Sequence, residues 1–367
     1  MFDRSSRCLL MLALLVLGAA ASVQAADFSE TVRVDTRELI VVNLVGHVEV
    51  VQGDGDEYVV EVNVHGDDAD KDNIRVVVEE KGSSTYVRVM FPVEDERRFV
   101  YPELGRGKTT INFRENDADD GETGWRKFRN ALGGRKITIV GKGKGFEAWA
   151  DIVVKVPVGG DAAVKLGCGD INASRVSADI VLDTHSGPIK ASRINGVLLC
   201  DTGSGHVDVS DCEGEITVDT GSGHVSGRNL KGDKVLVDTG SGQVELENIE
   251  CGKLDVDTGS GRVEALRVTC DAARIDTGSG SVVLQLDSMG DGKFLCDTGS
   301  GSIDLILPGN ASCRVSCDTG IGGIRVDVPD VDVKLPDRNE ASFTVGGGSA
   351  RVVLDTGSGG ISVKVAS

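Results

Sequence analysis

Asp-Thr-Gly occurs eight times in the C-terminal half of this chain, seven of them continuing as Asp-Thr-Gly-Ser-Gly. The aspartates fall at Asp201, Asp219, Asp238, Asp257, Asp276, Asp297, Asp318 and Asp355, and Asp183 opens a variant copy, Asp183-Thr184-His185-Ser186-Gly187. Intervals from Asp183 are 18, 18, 19, 19, 19, 21, 21 and 37 residues. A fixed period with one turn signal per repeat is the mark of a solenoid, a fold that grows in one dimension and needs no single globular core. The last interval, near two periods, predicts one degenerate coil between Asp318 and Asp355.

Counting each Asp as position zero, apolar residues occupy −3 and −1 (Ile180 and Leu182, Leu198 and Cys200, Ile216 and Val218). Position +6 is Val or Ile throughout, from Ile189 to Ile361, and +8 is mostly Val, Leu or Ala. Period two on each side of a turn describes two short strands per coil, with alternate residues inward. The fold expected is all-β: a parallel β-helix-like solenoid of about ten coils, each 18–21 residues, with an N-terminal β region. Gly at +4 recurs in all nine copies and Gly at +2 in eight. These read as corners needing positive φ. The Asp reads as an Asx-type cap of its own turn, and Thr at +1 as a residue bonding to its counterparts in adjacent coils.

Residues 1–26 read as a secretory signal peptide: Arg4 and Arg7, an apolar run from Leu9 to Leu17, then Val23-Gln24-Ala25. Cys8 precedes the apolar run and is no lipoprotein cysteine. Localisation is therefore expected to be exported: periplasm, cell envelope or cell surface. Residues 27–100 alternate apolar and polar, as in Tyr58-Val59-Val60-Glu61-Val62, and Asn43 to Val50 resembles a single early copy of the repeat. Residues 101–145 are polar and Gly-rich, with Arg126, Lys127 and Arg129 near an acidic knot at Asp117, Asp119 and Asp120, and read as an insertion or flap. Solenoid repeats fill 146–367. The formal charge is −19. That disfavours nucleic acid and anionic lipid, and suits a protein that meets cations, sugars or basic partners.

Asp-Thr-Gly is also the triplet of aspartic proteases, which converge two such aspartates from two lobes. A solenoid stacks its aspartates along one edge, so no catalytic residue is assigned and no cofactor is expected. Stacked carboxylates repel, and Ca²⁺ along Asp201, Asp219, Asp238, Asp257, Asp276 and Asp297 would relieve this, although the opposite edge is irregular (Glu213-Gly214, Lys231-Gly232). His206 and His224 share position +5 in adjacent coils, with Asp208 close by. This is either a zinc or copper site or part of a generic polar column that continues as Gln243, Arg262 and Ser281. Among the eight mature cysteines, Cys251 and Cys270 share what reads as a turn position and form the disulfide candidate. Cys296 and Cys317 share an inward strand position and are expected as buried thiols. Outward position −2 is apolar in several coils (Val181, Leu199, Leu236, Leu295, Val353), either an interface stripe or a surface covered by the insertion.

Val156-Pro157, then Gly169-Asp170-Ile171, then repeated Asp-Thr-Gly-Ser-Gly-x-Val-x-Val resembles the bacterial family of β-strand-repeat "putative adhesins", a domain of unknown function. It is also similar to the head domain of "putative" autotransporter adhesins. The resemblance covers about 150–367 well and 27–100 loosely. It implies a non-enzymatic binding scaffold whose partner is a protein or carbohydrate of the cell envelope or of a foreign surface, and it has no catalytic residues to carry over. Some relatives are linked to envelope stress, so a sensor bound to a membrane partner is the first rival. A polysaccharide-active β-helix enzyme is the second. The C-terminal strand Gly360 to Val365 shows no cap in the sequence and is read as an edge open to self-association.

Overall fold

The computed structural model describes residues 27–113 and 135–366. Among these residues there is no α-helix, one 3₁₀ turn (Pro102–Leu104), a large sheet system of 26 strands and a separate sheet of four. The signal-peptide reading and the acidic knot of the insertion lie outside the described residues.

The constant period places equivalent residues beside one another. Asp183, Asp201, Asp219, Asp238, Asp257, Asp276 and Asp297 are successive partners in one parallel ladder. The +6 residues Ile189, Val207, Val225, Val244, Val263, Val282 and Ile303 form a second. Positions −3 and −1 are buried in every coil, as is +6 in all but the outermost, where Ile324 is partly exposed. The anticipated early copy exists: Glu38–Val45 and Val48–Gln52 pair in register with Asp161–Cys168 and Ile171–Ser177. Beyond it the chain reverses. Tyr58–His65 runs antiparallel to Trp149–Val156, and Phe28–Val34 antiparallel to Tyr58–His65. Arg75–Lys81 runs antiparallel to Ser84–Met90. Reversed strands end the parallel stack at this side.

The aspartates are not turn caps. Each is a strand residue that faces outward between the inward −1 and +1 positions, as Asp201 is within Leu198–Ser204. The threonines at +1 are buried, and they do not bond one another. Thr202 Oγ1 donates to the Gly187 carbonyl at 3.1 Å, Thr298 to Gly280 at 2.9 Å, and Thr356 to Gly301 at 2.9 Å, each acceptor being the +4 glycine of the adjoining coil. The +4 glycines themselves are needed for close stacking more than for φ. A Cβ on Gly205, Gly242 or Gly261 would lie 2.0, 1.8 or 1.8 Å from the carbonyl oxygen of the +4 glycine of the preceding coil. The irregular sequence of the opposite edge hides a regular backbone. Arg175, Arg193, Asp211, Asn229, Asn248 and Arg267, all at +10, take φ between 53° and 58°. There Asn229 Nδ2 donates to Asp211 and Asn248 Nδ2 to Asn229, at 2.7 and 2.8 Å, forming an amide ladder.

The distal end departs from the expectation of a degenerate coil. No such coil lies between Asp318 and Asp355. Instead Ala350–Ser358 and Ile361–Val365 double back and insert between the coils of Asp297 and Asp318. Asp355 therefore has Asp297 on one side and Asp318 on the other. A repeat whose coils share one register code accepts a late coil anywhere in the stack. The residues between supply Lys334–Asp337 and Glu340–Val345, and the latter runs antiparallel to Cys313–Ile321 and caps that face. Hence the C-terminal strand Ile361–Val365 is interior, paired on both sides. Among the described strands, two at this end are paired on one side only: Ile324–Asp327, with Ile361–Val365, and Lys334–Asp337, with Glu340–Val345.

The described parts of the insertion carry strands that its polarity does not suggest. Lys108–Phe113 and Arg135–Val140 pair antiparallel, and Arg98–Val100 and Phe146–Glu147 complete a four-stranded sheet. Its Phe99, Ile111, Ile137 and Ile139 are buried and belong to the same apolar cluster as the solenoid core.

Candidate functional site

The Asp-bearing strands make one flat face with three outward columns: basic residues toward −4 (Lys234, Lys253, Lys293, Arg351), the −2 column, and the aspartates. In the −2 column Ala163 and Val181 are buried, whereas Leu199, Leu236, Leu295 and Val353 keep partial exposure. The insertion meets the solenoid where the burial occurs. The Ile111 side chain sits against Gly167, and the His185 ring bonds the Thr110 backbone. Cover by the insertion thus applies to the first coils, and the −2 residues of the later coils remain on the surface.

Burial acts on the carboxylates as well. Desolvation, reinforced by Asp201, pushes Asp183 up to about 7, with Lys165 opposing. Asp276 and Asp297 are raised chiefly by desolvation, the latter also by Asp355, its neighbour through the inserted coil. One cation is built in. Arg274, at −2, places Nη2 2.7 Å from Asp276 and Nη1 3.3 Å from Asp257 and 3.4 Å from Asp255. Ca²⁺ takes six to eight oxygen ligands. The column supplies one carboxylate per coil, and no group of three His, Cys, Asp or Glu side chains converges to hold a metal among the described residues.

His206 and His224 do meet, with ring centroids 6.2 Å apart, and His206 Nδ1 accepts from the His224 backbone N–H at 3.3 Å. The carboxylate nearest the pair is Glu245, 3.7 Å from His224 Nε2, rather than Asp208. Cys251 and Cys270 are partners in adjacent coils, but as buried strand residues and not in a turn. Both are free thiols, pushed up by burial to about 11 and about 12. Parallel neighbours hold their Cβ atoms too far apart for an unstrained bridge, and the same argument would apply to Cys296 and Cys317 if they were paired. Those two are not even neighbours, since Leu354 of the inserted coil lies between them.

A second cluster sits where the N-terminal cap, the insertion and the first coils join. His47 Nδ1 lies 2.8 Å from Asp170 Oδ2, and the His47 backbone N–H donates to Asp151 at 3.0 Å. His65 stacks on Trp149 with its Nε2 3.4 Å from Asp151, and Tyr101 leans on the same indole. The Asp170 bond raises His47 against the desolvation that lowers it, and Asp170 is held below its ordinary value by His47 despite burial. Beside it is a cavity of about 260 Å³ lined by Tyr101, Glu103, Leu104, Gly169, Asp170, Ser186, Gly187, Pro188 and Ser204. The sequence carried a signal for this pair. Aligning Gly46 with the +4 glycines puts His47 and Asp170 at +5, the column of His206 and His224.

These features define a class: a two-faced β-solenoid with antiparallel strands at both ends and a small sheet packed on its first coils. The chain belongs to the Toastrack DUF4097 family, whose model matches residues 134–364. No curated protein matches the chain. Two solved structures are similar in part. One is "a putative cell adhesion protein" from Clostridium sporogenes, 11% identical, with a TM-score of 0.23 over 92% of this chain and 99% of the other. The other is "a putative adhesin" from Bacteroides fragilis, 13% identical, with a TM-score of 0.34 over 94% of this chain and all of the other.

Proposed function

We propose that this protein is an exported, non-enzymatic scaffold that binds a protein or carbohydrate of the cell envelope, or of a foreign surface, on its Asp-bearing face. The observation that carries the reading is the run of parallel columns there, in which Leu199, Leu236 and Leu295 stay partly exposed beside an aspartate ladder. A partner with spaced cationic or hydroxyl groups along an apolar backbone would match both columns at once. The acidic charge argues against nucleic acid.

The test is saturable binding of the purified protein to whole cells and to isolated envelope fractions, with and without Ca²⁺. The wild type is compared with a Leu199→Ser, Leu236→Ser, Leu295→Ser variant. Saturable binding lost in the variant supports the reading, and loss in chelator alone assigns the aspartate column to a cation. Binding that survives the triple substitution removes this face from consideration. Recovery of one membrane protein with no affinity for surfaces would favour a sensing role inside the envelope.

A further inference from the structure

We infer that Ile324–Asp327, an open edge at the distal end, pairs antiparallel with the same strand of a second copy about a two-fold axis at Val326. This goes beyond the binding face proposed above, since it uses the end of the rod.

Backbone directions come first. The Gly323 carbonyl accepts from the Ile361 N–H at 3.0 Å, so Gly323 faces the interior strand. Strand groups alternate sides, so the N–H and C=O of Ile324 and Val326 point away from the sheet. Among the described residues no other strand pairs there. Antiparallel pairing centred on Val326 would make it a hydrogen-bonded pair with its own copy, exchanging both N–H···O bonds.

Side chains then select the occupant. The same axis sets Arg325 opposite Asp327 of the second copy, and Asp327 opposite its Arg325. Both residues are exposed, and neither forms an ion pair among the described residues. Directly opposed unlike charges favour a strand pair, and like charges oppose it. Charges on an edge ordinarily deter strand addition. Here their order is complementary to itself, which excludes most foreign strands and admits a copy. Ile324, Val326 and Val328 lie half-buried at the end of the core and would cover one another across the axis. Ile321 and Leu335, two of the four large apolar residues exposed among the described residues, lie at this same end, 80% and 63% exposed.

Sedimentation velocity of the purified protein over a concentration series tests this, with strand content followed by circular dichroism. The wild type should form a dimer in the range of tens of micromolar, roughly the strength of a small interface. Arg325→Asp sets acid against acid twice and should weaken association at least about tenfold. The double variant Arg325→Asp, Asp327→Arg restores the opposition in reverse and should return to dimer. Both positions are exposed, so these variants fold even where Val326→Pro, which removes the central N–H, does not. A wild type that stays monomeric up to about 500 µM overturns the inference. So does a dimer indifferent to Arg325→Asp, or a particle of one copy carrying a foreign chain on this edge.

Discussion

Gly242→Ala is the sharpest probe of how this solenoid is built. A Cβ at Gly242 would stand 1.8 Å from the Gly223 carbonyl oxygen and 2.7 Å from its carbon. An ordinary carbon–oxygen contact is about 3.3 Å, so the coils would have to part by roughly 1.5 Å. They are tied at this point by Gly223 N–H to the Ser241 carbonyl and Val225 N–H to the Gln243 carbonyl, at 3.1 and 2.9 Å. Opening by that amount takes such bonds out of range. The cost should be about 3 kcal/mol, the upper end for overpacking, because backbone and not a side-chain tip must move. Gly240→Ala is the graded control. Its Cβ would meet the Gly221 oxygen at 2.6 Å, and the equivalent position in another coil already carries His185. About 1 kcal/mol is expected there. Gly55→Ala, with nothing within 4 Å, should change stability by less than about 0.5 kcal/mol. Urea midpoints, with hydrogen exchange of the amides in Val244–Thr258, report the effect locally as well as globally. Gly242→Ala no worse than Gly240→Ala would refute the close-stacking account.

Three further outcomes follow from the same geometry. Thr202→Val removes a buried donor to Gly187 and should cost about 1 kcal/mol, whereas Thr239→Val, whose Oγ1 is buried without a partner, should be neutral or stabilising; paired urea denaturation decides. Arg274→Met leaves Asp255, Asp257 and Asp276 facing one another and should lower stability at neutral pH by about 1 kcal/mol, an effect that fades in high salt and at pH 3. Asp183 is raised from 3.8 to about 7, so the folded state keeps a proton that the unfolded chain releases between those values. Stability should therefore fall as pH rises through that window and level off above it, and Asp183→Asn should flatten the fall by about 2–4 kcal/mol in melts from pH 4 to 8.

The repeat made the stack legible because register is a local property. A period of 18 to 21 residues, with apolar −3, −1 and +6, fixes which residues lie side by side before any long-range contact is known. The aspartate column, the meeting of His206 with His224, and the adjacency of Cys251 with Cys270 all followed from it. The early copy at Asn43 was legible for the same reason, although its consequence, His47 against Asp170, needed the Gly46 alignment to be carried one residue further.

What the repeat could not encode is the order in which equivalent coils are stacked, since every coil presents the same ladder to its neighbours. Tertiary structure alone inserted Asp355 between Asp297 and Asp318, parted Cys296 from Cys317 with Leu354, and made the C-terminal strand interior while leaving Ile324–Asp327 at an edge. It alone laid a polar insertion on the first coils, buried Val181 and lifted Asp183. Spacing along the chain determines pairing when neighbours in space are neighbours in sequence; where the chain doubles back, only the competition among identical edges for one another decides.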